Sequence, residues 1–259
     1  MPEAKPSALS RAGYPDIALP TLSHIAPGYA LGRNPLEGYQ RSVSINEKHI
    51  AEVRRHPLFQ EAKSAALGRT LIGEQKLLNI FLIMSLWFDQ FDNKNCIEFG
   101  TYRGGSTFFM ATILARLYHG AQIYALDTFE GMPAVDSTLD AHRKGDFGDV
   151  SLPEIESAAA SLKLDNVVFV KGLVEDTFPA KIPRTMRFGL AHIDTDIYSA
   201  IRHCQDQVWD WLEPRGYIVF DDATAPSCLG ATQAVEELVR ERGVHSEQIY
   251  PHFVFRHKP

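Results

Sequence analysis

The stretch NCIEFGTYRGGSTFFM, residues 95–110, constrains the fold of this chain more than any other. It begins with a short apolar run, residues 96–99, of the kind found in buried parallel strands. Three glycines interrupt the run, and apolar residues then recur at helical spacing at Phe109, Ile113 and Leu117. A strand, a glycine-rich turn and a helix in this order form the start of a nucleotide-binding βαβ unit. Glycine lets a ligand approach the backbone closely, and the N–H groups that begin the helix attract an anion.

The spacing of the glycines indicates which ligand the turn binds. A dinucleotide fingerprint needs a glycine two residues after Gly100, where this chain has Tyr102, and a Walker loop needs a lysine where Ser106 follows Gly105. The form E-x-G-x-x-x-G instead suits S-adenosylmethionine, because Glu98 can accept from its ammonium group and the turn can receive its carboxylate. The alternative is a plain strand–helix turn of an α/β domain.

Acidic residues that follow the next two predicted strands are candidates to bind the nucleoside part of that cofactor. The second strand, residues 122–126, ends at Asp127, where an acidic group accepts the ribose hydroxyls of a nucleoside. The alternative is that Asp127 caps the next element. After the third strand, residues 166–171, either Glu175 or Asp176 could meet the adenine amine, unless both are solvated loop residues.

Apolar runs alternate with segments of helical period along the rest of the chain, which predicts an α/β fold with a mostly parallel sheet. The long polar segment 130–150 has little structure of its own, and we expect it to face the substrate. The other predicted elements are strands at 188–193 and 217–220, helices at 73–91, 152–162 and 231–242, a loop at 172–178, a turn at 214–216, and short final strands at Ile249 and 252–256.

Four carboxylates follow two neighbouring strands of this sheet, Asp194 and Asp196 after one strand and Asp221 and Asp222 after the next. The carboxyl ends of parallel strands line the ligand crevice, and two residues that are two apart in an extended chain point the same way. Four such groups repel one another unless a cation lies between them. A ligand set made only of oxygen favours Mg²⁺, Mn²⁺ or Ca²⁺ over zinc. The alternative is that these residues cap helices and turns.

His192 comes shortly before this cluster, and strand alternation would aim it to the same side as Asp194. It is therefore a candidate acid–base group. The alternative is a histidine packed in the core.

The composition bounds the class of protein. The chain has 259 residues and a net charge of −6 without a basic stripe, so nucleic acid is not an expected partner. The longest apolar run, residues 80–87, is too short to cross a membrane, and the N-terminal residues lack the apolar centre of a signal peptide. Cys96, Cys204 and Cys228 have no paired spacing. We expect a cytoplasmic protein with no membrane partner, no disulfides and no zinc site.

The N-terminal part of the chain differs in character from the rest. Residues 1–45 are rich in Pro and Gly and have weak periodicity, and one or two helices are predicted between residues 46 and 68. We expect residues 1–68 to form an arm that closes over the site as a lid, followed by a cofactor-binding domain at 69–259. For about the first 15 residues the alternative is a disordered tail.

Taken together, these motifs resemble the macrocin-type sugar O-methyltransferases of antibiotic tailoring pathways, over about residues 65–240. The stretches that carry the resemblance are IEFGTYRGGS at 97–106, LDTFEGMP at 126–133, GDF at 145–147, VKGLVEDTFP at 170–179, HIDTDIY at 192–198 and GYIVFDD at 216–222. The chain departs from the family at Thr195, where members often have Gly, and at His192, where they often have an apolar or basic residue.

The resemblance implies a class I methyltransferase of Rossmann-like fold, with a mostly parallel seven-stranded sheet and helices on both faces. It implies S-adenosylmethionine and a divalent metal, usually Mg²⁺, and an acceptor hydroxyl on a nucleotide-sugar or a glycosylated natural product. Asp194, Asp221 and Asp222 would hold the metal, and Asp196 would be the general base. The candidate cofactor-binding residues are Thr70, Glu98, Gly100, Arg103, Gly104, Ser106, Asp127 and Asp176.

Other functions remain open at this point. The chain could be a catechol-type O-methyltransferase acting on a phenol, or a related metal-dependent hydroxylase-like enzyme. It could also be a binding module that holds a nucleotide-like ligand without turnover, although binding alone does not need four convergent acids. The oligomeric state, a homo-oligomer included, also stays open.

Overall fold

The computed structural model describes residues 6–17, 47–248 and 251–257, and within these ranges a six-stranded sheet lies between two layers of helices. The strands are β1 (Cys96–Phe99), β2 (Ile123–Asp127), β3 (Val167–Lys171), β4 (Phe188–Ile193), β5 (Leu212–Phe220) and β6 (Phe253–Arg256). The helices are α1 (Ala8–Arg11), α2 (Glu47–Arg54), α3 (Pro57–Ala66), α4 (Glu74–Trp87), α5 (Gly105–Leu117), α6 (Leu152–Ser161), α7 (Val174–Thr177), α8 (Tyr198–Val208) and α9 (Leu229–Arg242).

The sheet has the strand order β3-β2-β1-β4-β5-β6, in which β1 to β5 are parallel and β6 is antiparallel to β5. The order reverses between β1 and β4, and in sheets of this kind the ligand crevice opens beyond the carboxyl ends of the strands at that point. The expected α/β fold is confirmed, with six strands instead of seven among the described residues. The predicted strand at Ile249 lies outside those residues, and its neighbour Gln248 forms an isolated bridge with Val254.

Side chains of the strands alternate between two apolar cores, as the pleat requires. Cys96 and Ile123 face a core that also contains residues of α1 to α6. Ile97 and Phe99 face a second core, which α7, α8 and α9 complete on the other side of the sheet. No helix among the described residues is both long and apolar enough to cross a bilayer.

The beginning of the chain is docked on the first of these cores. Leu9 of α1 is fully buried, and Arg11 forms an ion pair of 2.7 Å with Asp89. Within the predicted N-terminal arm, residues 6–17 therefore pack on the domain that follows. Residues 18–46 lie outside the described part of the chain, and the lid function stays a prediction.

Two local differences from the expected elements have simple causes. The predicted turn at 214–216 lies within β5, where the pairing with β4 shifts register between Phe188 and Leu190 and Arg215 has a φ of 68°. The strand accommodates the bend as an irregularity and continues, as at a β-bulge. In the predicted loop at 172–178, residues 174–177 form the single-turn helix α7, which is too short to show a helical period in the sequence.

Candidate active site

The turn between β1 and α5 is shaped by close backbone packing. Gly100 has a φ of +87°, and a Cβ at this position would lie 1.7 Å from the carbonyl oxygen of Asp194. Gly105, in the first turn of α5, would clash in the same way with Thr70, at 2.5 Å. The glycines therefore bring the ends of β1 and β4, and the segment before α4, close to one another.

Asp127 at the end of β2 holds this turn in place. Its Oδ2 accepts hydrogen bonds from the backbone N–H groups of Thr101 at 2.7 Å and Tyr102 at 2.8 Å, and its Oδ1 accepts from the N–H of Phe129 at 2.7 Å. The structure thus shows a structural role for Asp127, which also lines the cavity described next. Its predicted contact with a ribose stays a prediction.

A cavity of about 300 Å³ opens at the carboxyl ends of the strands, where the order of the sheet reverses. This is the lower end of the volume range of small-molecule sites, about 300–1,000 Å³. Of the predicted cofactor-binding residues, Thr70, Gly100, Ser106 and Asp127 line it. The predicted cofactor turn and β2 end therefore meet in one cavity.

The other predicted cofactor-binding residues lie off the cavity wall. Gly104 is the residue that precedes α5, with a φ of +83°. Arg103 forms an ion pair with Asp149 with much of its side chain exposed, and Glu175 lines the cavity in place of its neighbour Asp176. For Arg103 and Asp176, a direct contact with the cofactor stays a prediction.

Glu98 and His192 are fully buried beneath the cavity and face each other across β1 and β4. Glu98 Oε1 lies 3.0 Å from His192 Nδ1, and its other oxygen accepts from the hydroxyl of Thr107. Burial opposes protonation of His192, but Asp221 and Glu98 raise its pKa to about 9. A general base must be within hydrogen-bond reach of the substrate proton, so this location does not support the acid–base hypothesis for His192. It favours the alternative of a core histidine.

Asp194, Asp221 and Asp222 converge just beyond the carboxyl ends of β4 and β5, where Asp194 lies against Gly100 of the glycine turn. Each offers one carboxylate oxygen, and these three oxygens lie within 4.8 Å of one another. Burial, together with the charges of Asp221 and Asp222, raises the pKa of Asp194 well above its usual range. Burial and the neighbouring acids likewise raise the pKa of Asp222 to about 8. The structure therefore brings together three of the four carboxylates that the sequence predicts to converge, and these three groups cannot all be ionised without a counter-charge.

Besides the two neighbouring acids, Asp221 has a lysine and two histidines close to its carboxylate. Lys76 Nζ donates to the Asp221 carbonyl oxygen at 2.8 Å and to its carboxylate, while His192 Nε2 and His252 Nδ1 lie 3.7 and 3.8 Å from Asp221 Oδ1. Burial alone would raise the pKa of Asp221, but these neighbours hold it well below its usual range. Asp221 Oδ1 is buried without a hydrogen-bond partner. An unpartnered carboxylate oxygen beside two more acids fits a hard divalent cation.

Asp196 lies next to these three carboxylates but does not belong to their cluster. It has a φ of +59°, so the chain is not extended here and the expected parallel orientation with Asp194 does not follow. Its N–H donates to Asp222 Oδ2 at 2.9 Å, while its carboxylate lies near His142 and Cys228 and lines the cavity. Burial raises the pKa of Asp196 to about 6, although a hydrogen bond from Cys228 opposes the shift.

Lys76, His142, Cys228 and His252 belong to the site but were not identified from the sequence. Each comes from an element other than the strands that end in aspartates, and none lies in a recognisable spacing with them. The sequence gives only indirect evidence for His142, because this residue lies in the polar segment 130–150 that we expect to face the substrate.

A sheet of this order, with a glycine turn after its central strand and acids at the ends of β2, β4 and β5, defines a Rossmann-like methyltransferase fold of class I. The sequence matches the model of the Macrocin-O-methyltransferase (TylF) family over residues 37–250, and the chain belongs to this family. The predicted family is confirmed, and the chain is an S-adenosylmethionine-dependent O-methyltransferase.

Individual relatives agree with this assignment. The chain is 26% identical, over 64% of its length and 67% of the relative's, to an 8-demethyl-8-(2,3-dimethoxy-alpha-L-rhamnosyl)-tetracenomycin-C 4'-O-methyltransferase of Streptomyces olivaceus. Its fold is similar to that of the O-methyltransferase NovP, with a TM-score of 0.66 and 19% identity over 87% of this chain and 100% of that one. It is also similar to CalS11, a calicheamicin methyltransferase, with a TM-score of 0.58 and 16% identity over 82% and 93% of the two chains.

Proposed function

We propose that this protein transfers a methyl group from S-adenosylmethionine to a sugar hydroxyl of a glycosylated natural product or nucleotide-sugar, with a divalent cation such as Mg²⁺ at Asp194, Asp221 and Asp222. The observation that carries the proposal is that the glycine turn, Asp127 and the cluster of three carboxylates, whose negative charges lack a bound cation, all line one cavity. The relative from Streptomyces olivaceus is named for methylation of a rhamnosyl-bearing compound, which supports a sugar acceptor.

Methyl transfer to a hydroxyl requires the protein to align the reacting atoms and to accept the hydroxyl proton. The methyl carbon leaves the sulfonium sulfur and bonds to the acceptor oxygen in line, so the protein must hold oxygen, carbon and sulfur in a row, which can supply about 7–11 kcal/mol of the barrier. The hydroxyl proton must also leave, and Asp196 is the cavity acid that we assign to accept it. A bound Mg²⁺ would lower the pKa of a coordinated hydroxyl and neutralise the carboxylates.

Asp196 suits the role of base better than the three other acids. Its pKa of about 6 leaves its carboxylate ionised at neutral pH. This pKa is also close enough to the working pH for the carboxylate to accept a proton during the reaction. The pKa of Asp222, raised to about 8, and that of Asp194, raised well above its usual range, favour protonated groups until a cation binds. The pKa values of these acids therefore support the same roles that the family resemblance implies, with Asp196 as the base and the other acids as metal ligands.

The test is a methyl-transfer assay with a rhamnoside that carries free neighbouring hydroxyls, compared with a catechol, in Mg²⁺ and in chelator. S-adenosylhomocysteine formation and the mass of the acceptor are the readouts. We expect the rhamnoside to be methylated only with Mg²⁺. Methylation of the catechol alone would favour the phenolic alternative, and full activity in chelator would contradict the cation site.

Two substitutions separate the ligands from the base. Asp221→Asn should weaken Mg²⁺ binding, and excess metal should recover part of the turnover. Asp196→Asn should leave the affinities for Mg²⁺ and cofactor nearly unchanged and lower kcat by about 10²–10⁴-fold. Asp89→Asn, which breaks the remote surface pair with Arg11, is the matched control. Near-normal kcat in Asp196→Asn would mean that another group accepts the proton.

A further inference from the structure

Three side chains from different parts of the chain meet beside the carboxylate cluster. His142 comes from the segment between β2 and α6, Asp196 follows β4, and Cys228 is the residue that precedes α9. His142 Nε2 lies 3.5 Å from Asp196 Oδ1, and Cys228 Sγ lies 3.6 Å from each of these two atoms. One nitrogen, one oxygen and one sulfur atom therefore form a nearly equilateral triangle.

These separations are those of a tetrahedral zinc site. Bond lengths of about 2.0–2.1 Å for nitrogen or oxygen and about 2.3 Å for sulfur, at tetrahedral angles, place nitrogen and oxygen about 3.3 Å apart and sulfur about 3.6 Å from either. The triangle matches these values within about 0.2 Å, the tolerance that applies to metal–ligand geometry. Three protein ligands would leave the fourth position of the ion free for water or another ligand.

The surroundings of the triangle also fit a metal. His142 Nδ1 lies 3.5 Å from Asp146 Oδ2, so a carboxylate stands behind the imidazole on the side away from Asp196. Ligating histidines usually have such a partner, which fixes the ring and leaves the other nitrogen free for the ion. Asp196, whose carboxylate faces His142 and Cys228, has a left-handed φ of +59°, a strained conformation of the kind that marks functional sites.

We propose that His142, Asp196 and Cys228 form a second metal site, selective for Zn²⁺ or a similar borderline transition-metal ion, and that its occupancy blocks methyl transfer. The blocking effect rests on the proposed role of Asp196 as base, because a carboxylate bound to zinc no longer accepts the substrate proton. On binding, the S–H bond of Cys228 breaks, the sulfur bonds to the ion, and the proton passes to the buffer.

This site shares no ligand with Asp194, Asp221 and Asp222, and the two sites differ in chemistry. Three carboxylates are hard oxygen ligands that suit Mg²⁺, whereas thiolate and imidazole select softer ions. The sequence led us to expect no zinc site because its cysteines have no paired spacing. The three ligands lie far apart in the chain, so only the fold brings them together.

Cobalt(II) reports on such a site directly, because a cobalt–thiolate bond has a charge-transfer absorption in the near ultraviolet. Metal-free protein is first supplied with excess Mg²⁺ and then titrated with Co²⁺. We expect the band to appear in the wild type and to be displaced by one equivalent of Zn²⁺. Cys228→Ser and His142→Ala should lose it or weaken its binding at least tenfold, with circular dichroism confirming that both variants are folded.

Cys204→Ser is the matched control, because Cys204 is an equally buried thiol in α8. It should keep the full band. No band in the wild type, or an undiminished band in Cys228→Ser, would overturn the proposed site without affecting the proposed function.

Turnover tests the second half of the proposal. Each protein is assayed in Mg²⁺ with and without an amount of Zn²⁺ that saturates the cobalt-binding site, and its rate is divided by its own zinc-free rate. We expect at least tenfold inhibition of the wild type and of Cys204→Ser, and markedly less of Cys228→Ser. A saturated site with undiminished turnover would leave the metal site standing but refute both the blocking effect and the assignment of Asp196 as base.

Discussion

Gly100 lies where β1 ends, so close to the carbonyl of Asp194 that a side chain does not fit. A Cβ there would be 1.7 Å from the carbonyl oxygen, and the residue also has a left-handed φ of +87°. The position therefore sets the distance between the end of β1, on the cofactor side of the cavity, and the first acid of the carboxylate cluster. Any residue other than glycine must push these two walls apart.

Gly120 offers a matched test, because it has the same φ of +87° but no heavy atom within 4 Å of a built Cβ. We expect Gly120→Ala to cost about 1–2 kcal/mol of the free energy of unfolding, the penalty of a left-handed alanine. Gly100→Ala should cost clearly more and should also weaken the binding of S-adenosylmethionine. Urea unfolding and calorimetry give the two quantities. Equal losses in both variants would mean that the clash at Gly100 relaxes without consequence.

At this scale the sequence predicts the site unevenly. The four aspartates could be found because each follows a strand, and ends of neighbouring parallel strands meet at one edge of the sheet. Lys76, His142 and Cys228 could not, because their approach depends on how helices and a long irregular segment pack. The orientation of Asp196 could not be predicted either, because a positive φ at a non-glycine residue leaves no pattern in the sequence.

Among the elements, α4 does more than cover the sheet. Its Lys76 binds Asp221 at the end of β5, and Asn79 Nδ2 lies 2.7 Å from Nε2 of His252, whose other ring nitrogen approaches Asp221. One buried polar chain thus ties α4 to β5 and to the residue before β6. The positive charge of Lys76 compensates the carboxylates while they hold no cation.

Replacing Lys76 tests this charge compensation through the stability of the protein. In metal-free protein, Lys76→Met leaves the buried Asp221 without the ammonium group that donates to it, and we expect a loss on the order of 3 kcal/mol in the free energy of unfolding. Mg²⁺ should restore more stability to this variant than to the wild type. Lys63→Met breaks the more exposed pair with Glu74 and should cost at most about 1 kcal/mol. The prediction fails if urea unfolding finds the two variants equally stable.

The docking of residues 6–17 depends on His56, which precedes α3. Its Nε2 lies 2.8 Å from the carbonyl oxygen of Pro15 and so donates, while its buried Nδ1 has no partner. Burial lowers the pKa of His56 below its usual value, although the hydrogen bond to Pro15 opposes this shift. The unfolded chain therefore binds the proton more tightly than the folded protein.

We expect the stabilisation from neutral His56 to be fully present above pH 6.5 and to be lost as the pH falls below it. The contribution of one group can change by no more than about 1.4 kcal/mol per pH unit. His56→Gln keeps a neutral donor and should reduce the loss of stability between pH 7.5 and pH 5.5. Urea unfolding at the two pH values measures it. An identical pH dependence in wild type and variant would exclude His56 as its source.

The elements themselves were largely predictable. β4 was predicted at its observed bounds and β1 to β3 within a residue, because each is a short apolar run that ends in a polar or glycine residue. The extension of β5 back to Leu212 was not, since Pro214 and Gly216 are typical of a turn and only pairing with β4 keeps this segment in the sheet. Hydrogen bonding between distant segments overrode local preference there.

For the molecule as a whole, the cavity lies where the two halves of the sheet join, between β1–β3 and β4–β6. Its lining comes from both halves, with Asp127 from one and Asp194, Asp221 and Asp222 from the other. A ligand that fills it should therefore stabilise the entire fold against unfolding. The described residues 6–17 lie outside this lining, and the lid function of the N-terminal arm stays a prediction.

Thermal unfolding tests this coupling of the cavity to the fold. At a free concentration of 100 times its Kd, S-adenosylmethionine should add about 2.7 kcal/mol to the free energy of unfolding, and it should raise the Tm of a single cooperative transition. NAD should not raise it, because Tyr102 stands where a dinucleotide turn needs glycine. Stabilisation by NAD without any by S-adenosylmethionine would contradict the cofactor assignment.

The antiparallel strand β6 is the last strand of the described sheet to be synthesised. The nascent chain completes β1 to β5, and with them all four aspartates, before β6 and His252 leave the exit tunnel. Until then the apolar β5 presents an unpaired edge, the kind of surface that chaperones cover and that otherwise aggregates. Asp221 meanwhile lacks the imidazole that lies 3.8 Å away in the finished protein. A truncated translation product that ends after β5 would thus carry every proposed ligand of the hard cation and still expose the edge that β6 protects.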